Sequence, residues 1–296
     1  MKKLFLAGFA VLLFAACSSK CGEKNRELPG KDISLQLYSL RDDISKNFDS
    51  TINLAAAAGY TSIEAASYGN GKFYGKTPEE FKKAIEDAGM QVLSSHVCRG
   101  LDSVEVAHHD FTAALAWWDT TIMAHEAAGM KYIVSPCFGI AHATANNMKV
   151  WCDYLNEVGK KCAEHGIQYG YHNHAGEFTL MKDSNMKIYD YMLENTNPDL
   201  VFFQMDIYWA IIGDCSPVEY FNKYPGRFKM LHVKDYKELG QSGMVGFDAI
   251  FKNTDVAGVQ QLVVEVEQYN YSPGESVKMS LDYLRECPWV KEKYEK

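Results

Sequence analysis

Eight short β-rich runs, each followed by a stretch with helical periodicity, constrain this chain more than any other feature. The runs occupy residues 33–38, 62–64, 91–96, 132–135, 167–172, 200–206, 228–233 and 261–267. Between them apolar residues recur at helical spacing, as over 78–88 and 148–165, the pattern of helices that bury one face. Four of these stretches end in a glycine that leads into the next run: Gly59, Gly89, Gly129 and Gly166. Glycine takes the left-handed conformation that stops a helix without steric cost. Eight β-then-α units in series predict a (β/α)₈ TIM barrel. An open doubly wound sheet is the runner-up, but it usually has fewer units and often a glycine-rich phosphate turn. The stretch GNGKF at 69–73 matches neither nucleotide fingerprint.

The segment MKKLFLAGFAVLLFAAC has the charged start and apolar middle of a bacterial export signal and is too short to span a bilayer comfortably. Ala15-Ala16 before Cys17 resembles a lipoprotein cleavage box, with Phe14 where leucine is more usual. Residues 1–16 are therefore expected to be a lipoprotein signal, 17–31 a polar flexible tether, and 32–296 one barrel domain. The expected location is the periplasmic face of the inner or outer membrane, or the cell surface, with a lipid on Cys17. Hydrophobic residues make up 47% of the chain, enough for a sizeable core, and the net charge of −8 with scattered positive residues argues against a nucleic-acid partner. Cys98, Cys137, Cys152, Cys162, Cys215 and Cys287 lack zinc-knuckle spacing and are expected to be mostly free thiols.

In a barrel of this kind the active site forms at the C-terminal ends of the strands. The residues there are Glu64, His96, His172 with His174, Asp206, His232 with Lys234 and Asp235, and Glu265 with Glu267. Carboxylates and imidazoles converging from separate strands point to a divalent metal, whose charge offsets their mutual repulsion. Alternation on the fifth run turns His172 and His174 toward the axis if Tyr169 and Tyr171 pack outward. The same rule puts Glu265 and Glu267 on one face; both are candidate ligands, and Glu267, nearer the strand end, is preferred. His108, His109, His125, His142 and His165 are read as structural.

The ordered set SLQLYSLRD, SIEAASYG, YHNHAGEF, FFQMDIYWA, MLHVKDY and VVEVEQY resembles the xylose isomerase-like TIM-barrel superfamily, the sugar phosphate isomerase/epimerase group, from Ile33 to the end. The resemblance implies one divalent ion, often manganese, zinc, cobalt or magnesium, held by residues of the last four strands. Carried over, Asp206, His232 and Glu267 match. The usual glutamate of the fifth strand is a histidine here, so His172 is the preferred fourth ligand and His174 the alternative. The family's sugar 3-epimerases use two opposed metal-bound glutamates, of which one is present. The HNHxxEF variant resembles branches labelled isomerase, inosose dehydratase-like or acting on 3-keto sugars.

The function these features imply is isomerisation or epimerisation of a keto-sugar or related polyol, by removal of a proton beside a carbonyl. Glu267, His174 and Glu177 are the expected acid/base groups and Lys234 an orienting cation. Glu64 and His96 would contact sugar hydroxyls, and Trp209 with Tyr208 would form an apolar wall. A lyase or dehydratase of 3-keto-glycoside or inosose type is the alternative on the same scaffold, and a non-catalytic lipid-anchored carbohydrate-binding barrel is another. An AP endonuclease-like nuclease shares the barrel, but the acidic charge and export signal argue against it. The expected partner is a small carbohydrate, and a homo-oligomer is compatible with the fold.

Overall fold

The computed structural model describes residues 30–136 and 143–294. The expected signal, the tether up to residue 29, Cys17, Cys137 and His142 lie outside them. Eight parallel strands close into a barrel: β1 (Ser34–Gln36), β2 (Ser62–Ala65), β3 (Gln91–His96), β4 (Tyr132–Ser135), β5 (Gln168–His172), β6 (Val201–Asp206), β7 (Met230–Lys234) and β8 (Gln261–Glu265). Each pairs with its sequence neighbours, and β8 pairs back onto β1 through Ser34 opposite Val263. This is the predicted TIM barrel. The four helix-ending glycines all have positive φ, from 70° at Gly166 to 105° at Gly59.

The helices pack their apolar faces on the outside of the barrel. Pro78–Asp87, for example, is capped by Thr77 and Glu80 and buries Phe81 and Ile85. Its outward residues Lys83 and Asp87 pair in solvent. Inside the barrel a smaller apolar group, Leu93, Tyr132, Val134, Phe202, Met230 and Val263, fills the lower half. Gly170 on β5 sits beside Phe202, and a Cβ there would meet that ring at 2.5 Å, so glycine makes the room this plug needs.

Above the plug the inward positions turn polar: Gln36, Glu64, Ser94, Gln204 and His232 are all 0% exposed. A shift of register between Ile63 and Glu64 sets Glu64 opposite Ser94, bringing two polar residues into this layer. Lys31, placed by sequence in the tether, belongs to the folded domain. It is buried, and its ammonium donates to the carbonyls of Leu284 and Cys287 at 2.9 and 2.7 Å, tying the two ends of the domain together at the foot of the barrel. Among the described residues Cys152, Cys162, Cys215 and Cys287 are free thiols. Among the described residues no helix is long and apolar enough to cross a membrane.

Candidate functional site

The polar layer is organised by two side chains from opposite sides of the lumen. Glu64 Oε1 accepts from Gln36 Nε2 and His232 Nε2, both at 2.8 Å, and from His96 Nε2 at 3.0 Å. Its Oε2 accepts from Ser94 Oγ at 2.7 Å and Gln204 Nε2 at 2.8 Å. Burial disfavours this carboxylate, but His96 and His232 outweigh it and hold the group well below the usual carboxylate range.

Gln204 has its amide nitrogen committed to Glu64, so its oxygen can only accept. It takes His96 Nε2 at 2.8 Å and His172 Nδ1 at 3.0 Å. His172 therefore carries its proton on Nδ1 and turns the lone pair of Nε2 toward Asp206, 4.0 Å from Oδ2. Burial, then His232, His96 and His174, keep this imidazole well below its ordinary value, hence neutral.

Asp206 is fixed in the same manner. It ends β6 and caps the following helix Ile207–Ile212, with Oδ1 accepting the Trp209 N–H at 2.8 Å. Asn173 bonds the Asp206 backbone, through Oδ1 at 3.1 Å and Nδ2 at 3.3 Å. Asp206 Oδ2 is left facing His232 Nδ1 at 3.7 Å, and Glu265 Oε2 stands 3.5 Å from the same nitrogen. Glu265 is held at about 2: burial opposes ionisation, but His232 and Lys234 outweigh it. The His232 pKa is raised well above normal, because Glu265, Asp206 and Glu64 overcome its burial.

Asp206 Oδ2 and His232 Nδ1 are both buried without a hydrogen-bond partner. Buried polar atoms are seldom left so. Two groupings have atoms close enough to share a cation: Asp206, His232 and Glu265, and His96, His172 and His232. Ligand atoms at about 2.1 Å from one ion stand roughly 3–3.5 Å apart, close to the Asp206–His232–Glu265 spacing. The oxygen and nitrogen set suits zinc, manganese or a similar divalent ion, and Glu64 on the far nitrogen of His232 supplies the partner that orients a ligating imidazole. The residues present fit a divalent metal.

Of the residues expected from sequence, Asp206, His232 and His172 meet at this point and Glu267 does not. The parity argument required β8 to continue to Glu267, but the strand ends at Glu265, and the Val266 N–H leaves the sheet to donate to Ser39 Oγ at 3.0 Å. Glu267 turns to the rim and pairs with Lys234 Nζ at 2.6 Å. Lys234 is buried, also 3.5 Å from Glu265, and its pKa is raised because these carboxylates and Asp206 outweigh its desolvation.

Three further expectations are corrected. Glu64 is fully buried under the imidazoles and its oxygens are saturated with donors, so it is a brace and not a sugar contact. Glu177 lies behind the cavity wall, accepting from Tyr171 O–H at 2.6 Å and from the His174 N–H at 3.0 Å; burial pushes its carboxyl to about 7. It sets the turn Ala175–Phe178 that follows His174. Trp209 packs 5.9 Å from the His174 ring and Tyr208 is buried, and neither lines the cavity.

His96, His172, His174, Glu265 and Glu267 do line it, in a mouth of about 580 Å³. Its other wall holds Tyr38, Tyr68 and Trp117, which sequence reasoning passed over. Gln204 was missed as well, although it shares the inward parity of Asp206. Among the remaining histidines, His109 and His165 face Asp153 and Glu126 on the outer surface, and His125 is buried.

A (β/α)₈ barrel with imidazoles and carboxylates gathered at the C-terminal ends of β5 to β8 is the class that this fold and site define. The chain belongs to the family described as Xylose isomerase-like TIM barrel, which matches residues 52–287. A sugar phosphate isomerase/epimerase from Parabacteroides distasonis has a similar structure, with TM-score 0.81 and 34% identity over 88% of this chain and 100% of that one. An L-ribulose 3-epimerase shares the fold, with TM-score 0.65 and 14% identity over 86% of this chain and 93% of that one. Inosose dehydratase from Clostridium beijerinckii is 23% identical over 199 residues, and the chain spans 64% of the length of that relative, matched by 64% of its own.

Proposed function

We propose that this protein is a divalent-metal-dependent enzyme that moves a proton at the carbon beside the carbonyl of a keto-sugar, an isomerase or epimerase. The observation that carries this reading is the meeting of Asp206 Oδ2, His232 Nδ1 and Glu265 Oε2 at the floor of the cavity, two of them buried without a partner. His172, Asp206, His232 and Glu265 would hold the ion. The chemistry an ion supplies there is withdrawal of electron density from a carbonyl oxygen, which stabilises the charge that develops as the neighbouring proton leaves. Glu64 and Gln204 hold the imidazoles in the tautomers this needs.

Proton transfer falls to groups that face the cavity from different strands. His174, kept below its ordinary pKa chiefly by burial, is a neutral imidazole able to accept a proton from the β5 side. Glu267 lies on the β8 side, its carboxylate 2.6 Å from Lys234 Nζ. The family and the names of its relatives support a small carbohydrate as substrate.

A second reading, a lyase or dehydratase, is favoured by the inosose dehydratase relatives and by the imidazole of His172 where a second carboxylate would serve a symmetric epimerisation. Metal analysis of the protein lacking residues 1–29 tests both. Wild type and Glu267→Ala should retain about one equivalent of metal, and Asp206→Ala, His232→Ala and Glu265→Ala should lose it. Keto-sugars incubated in D₂O then separate the chemistries: deuterium exchange without unsaturation supports the isomerase, and an enone absorbance supports the lyase. No metal even after incubation with excess manganese or zinc, together with no exchange, overturns both and leaves a carbohydrate-binding barrel.

We also infer from residues 1–17 that the chain is exported and lipid-anchored on Cys17, at the periplasmic face of a membrane or the cell surface. Labelling with an alkyne fatty acid should mark wild type and not Cys17→Ser; equal labelling refutes the anchor.

A further inference from the structure

The cavity has two unlike halves. His96 at the end of β3 and the β5 to β8 side supply its imidazoles and carboxylates, whereas the rest of the β1 to β4 side supplies Tyr38, Ala66, Ser67, Tyr68, Val97, Cys98 and Trp117, with no carboxylate, lysine or arginine among them. Resting on the keto-sugar reading above, we propose that this second half is a stacking subsite for another ring, so that the substrate is a neutral glycoside of two rings and not a sugar phosphate.

The aromatic groups are held in place before any ligand arrives. One face of Tyr38 lies under the Arg41 guanidinium, 4.6 Å from the ring centroid, while the residue is 44% exposed. Tyr68 is packed against Phe73 at 4.9 Å and His125 at 4.7 Å, and stands edge-on to Trp117 at 6.4 Å. Fixed rings of this kind give contact area at little cost in conformational entropy. A pyranose presents C–H faces that lie flat on such rings while its hydroxyls remain in water. The cavity, about 580 Å³, falls within the roughly 300–1,000 Å³ range of sites for drug-sized ligands, more than one six-carbon sugar fills.

Charge points the same way. Among the described residues no lysine or arginine lines the cavity, and Glu265 and Glu267 do. The nearest cations are engaged elsewhere. Arg41 donates to the Tyr38 carbonyl, the Tyr269 hydroxyl and the Glu267 carbonyl at 3.1, 2.9 and 3.1 Å. Arg99 forms a forked pair with Glu105 at 2.7 and 3.1 Å, and Lys234 is bound to Glu267. Apart from the ion proposed above, a phosphate dianion would find among the described lining residues two carboxylates and no lysine or arginine.

Calorimetric titration of the metal-loaded protein with methyl and phenyl β-D-glucopyranosides, the corresponding galactosides and glucose 6-phosphate tests the proposal. A phenyl glycoside should bind about tenfold more tightly than the methyl glycoside of the same sugar, the size of one aromatic stack. Trp117→Ala should abolish that ratio, Trp117→Phe should keep it, and Tyr38→Ala, at an exposed position that does not endanger the fold, should reduce it. Glucose 6-phosphate should bind no better than glucose. Equal binding of methyl and phenyl glycosides, no binding of any glycoside, or tighter binding of the phosphate overturns the subsite. Metal content and deuterium exchange measured on the same samples separate the two ideas. Discrimination without metal or exchange sinks the enzymatic reading alone, and metal with exchange but no discrimination sinks the subsite alone.

Discussion

Replacing Glu64 by glutamine changes no volume and removes one charge from the centre of the barrel. The carboxylate accepts from five donors, three on Oε1 and two on Oε2. An amide keeps one oxygen. If its nitrogen takes the Oε2 side, the Ser94 hydroxyl can rotate to accept, but the Gln204 amide loses its partner. If the nitrogen takes the Oε1 side, the Gln36 amide and His232 Nε2 are stranded, while His96 keeps the Gln204 oxygen. A stranded buried donor costs about 1–3 kcal/mol, and hydrogen bonds to a charged group exceed neutral ones by up to ~1.5 kcal/mol each. The expected destabilisation is therefore about 3–5 kcal/mol at pH 7, in line with breaking a buried pair by removing one partner. For a domain of this size that lowers Tm by about 10 °C. Because Glu64 titrates well below its unfolded value, its contribution is complete above about pH 4.3 and is lost only as pH falls through the folded value. The gap between Glu64→Gln and wild type, read by thermal circular dichroism, should stay flat from pH 5 to 6 and narrow above about pH 6.5, where the stability that Glu64 gives through the raised His232 is lost. A variant within 1 kcal/mol of wild type would show that the network does not hold the barrel layer together.

His232 is an imidazolium at neutral pH in the metal-free protein, so uptake of an ion should expel about one proton. Zinc titrations in buffers of different ionisation enthalpy should give different observed enthalpies, and identical heats would remove His232 Nδ1 from the ligand set. His125 is buried and its pKa lowered to about 4, mainly by desolvation, so stability is lost as pH falls from about 6.5 toward 4. That loss should reach about 3 kcal/mol and be absent from His125→Phe; parallel urea midpoints for the two proteins across this range would contradict the buried-neutral assignment. Glu177 has the opposite sense, raised to about 7 by burial, so stability falls as pH rises from about 4.3 to 7. Glu177→Gln should gain on the order of 2 kcal/mol over wild type between pH 5 and pH 8, and a gain that does not grow with pH would argue that the carboxyl is not desolvated.

The barrel was legible because its signals repeat: eight runs, and four glycines that each close a helix with positive φ. Asp206, His232 and His172 were legible because each sits at a strand end with inward parity. Errors arose where a residue's height in the barrel mattered. Glu64 and Glu265 share a face rule with many residues, and the rule says inward but not how deep. Sequence alternation ran β8 on to Glu267, whereas the chain leaves the sheet at Val266 for Ser39. The aromatic wall was hidden for another reason. Tyr38, Tyr68 and Trp117 come from a 3₁₀ turn, a short hairpin and a helix, far apart in sequence, and only the closed barrel sets them side by side.

The clasp formed by Lys31 has a practical corollary for handling the protein. The described chain enters β1 at the foot of the barrel, where the Asp32 N–H also donates to the Glu292 carbonyl at 2.8 Å, while the cavity opens at the other end. Whatever is joined upstream of residue 30, whether acyl chain, affinity resin or sensor chip, hangs from the face opposite the mouth. Immobilisation through that end attaches the support to the face opposite the cavity and leaves the loops around its opening unobstructed.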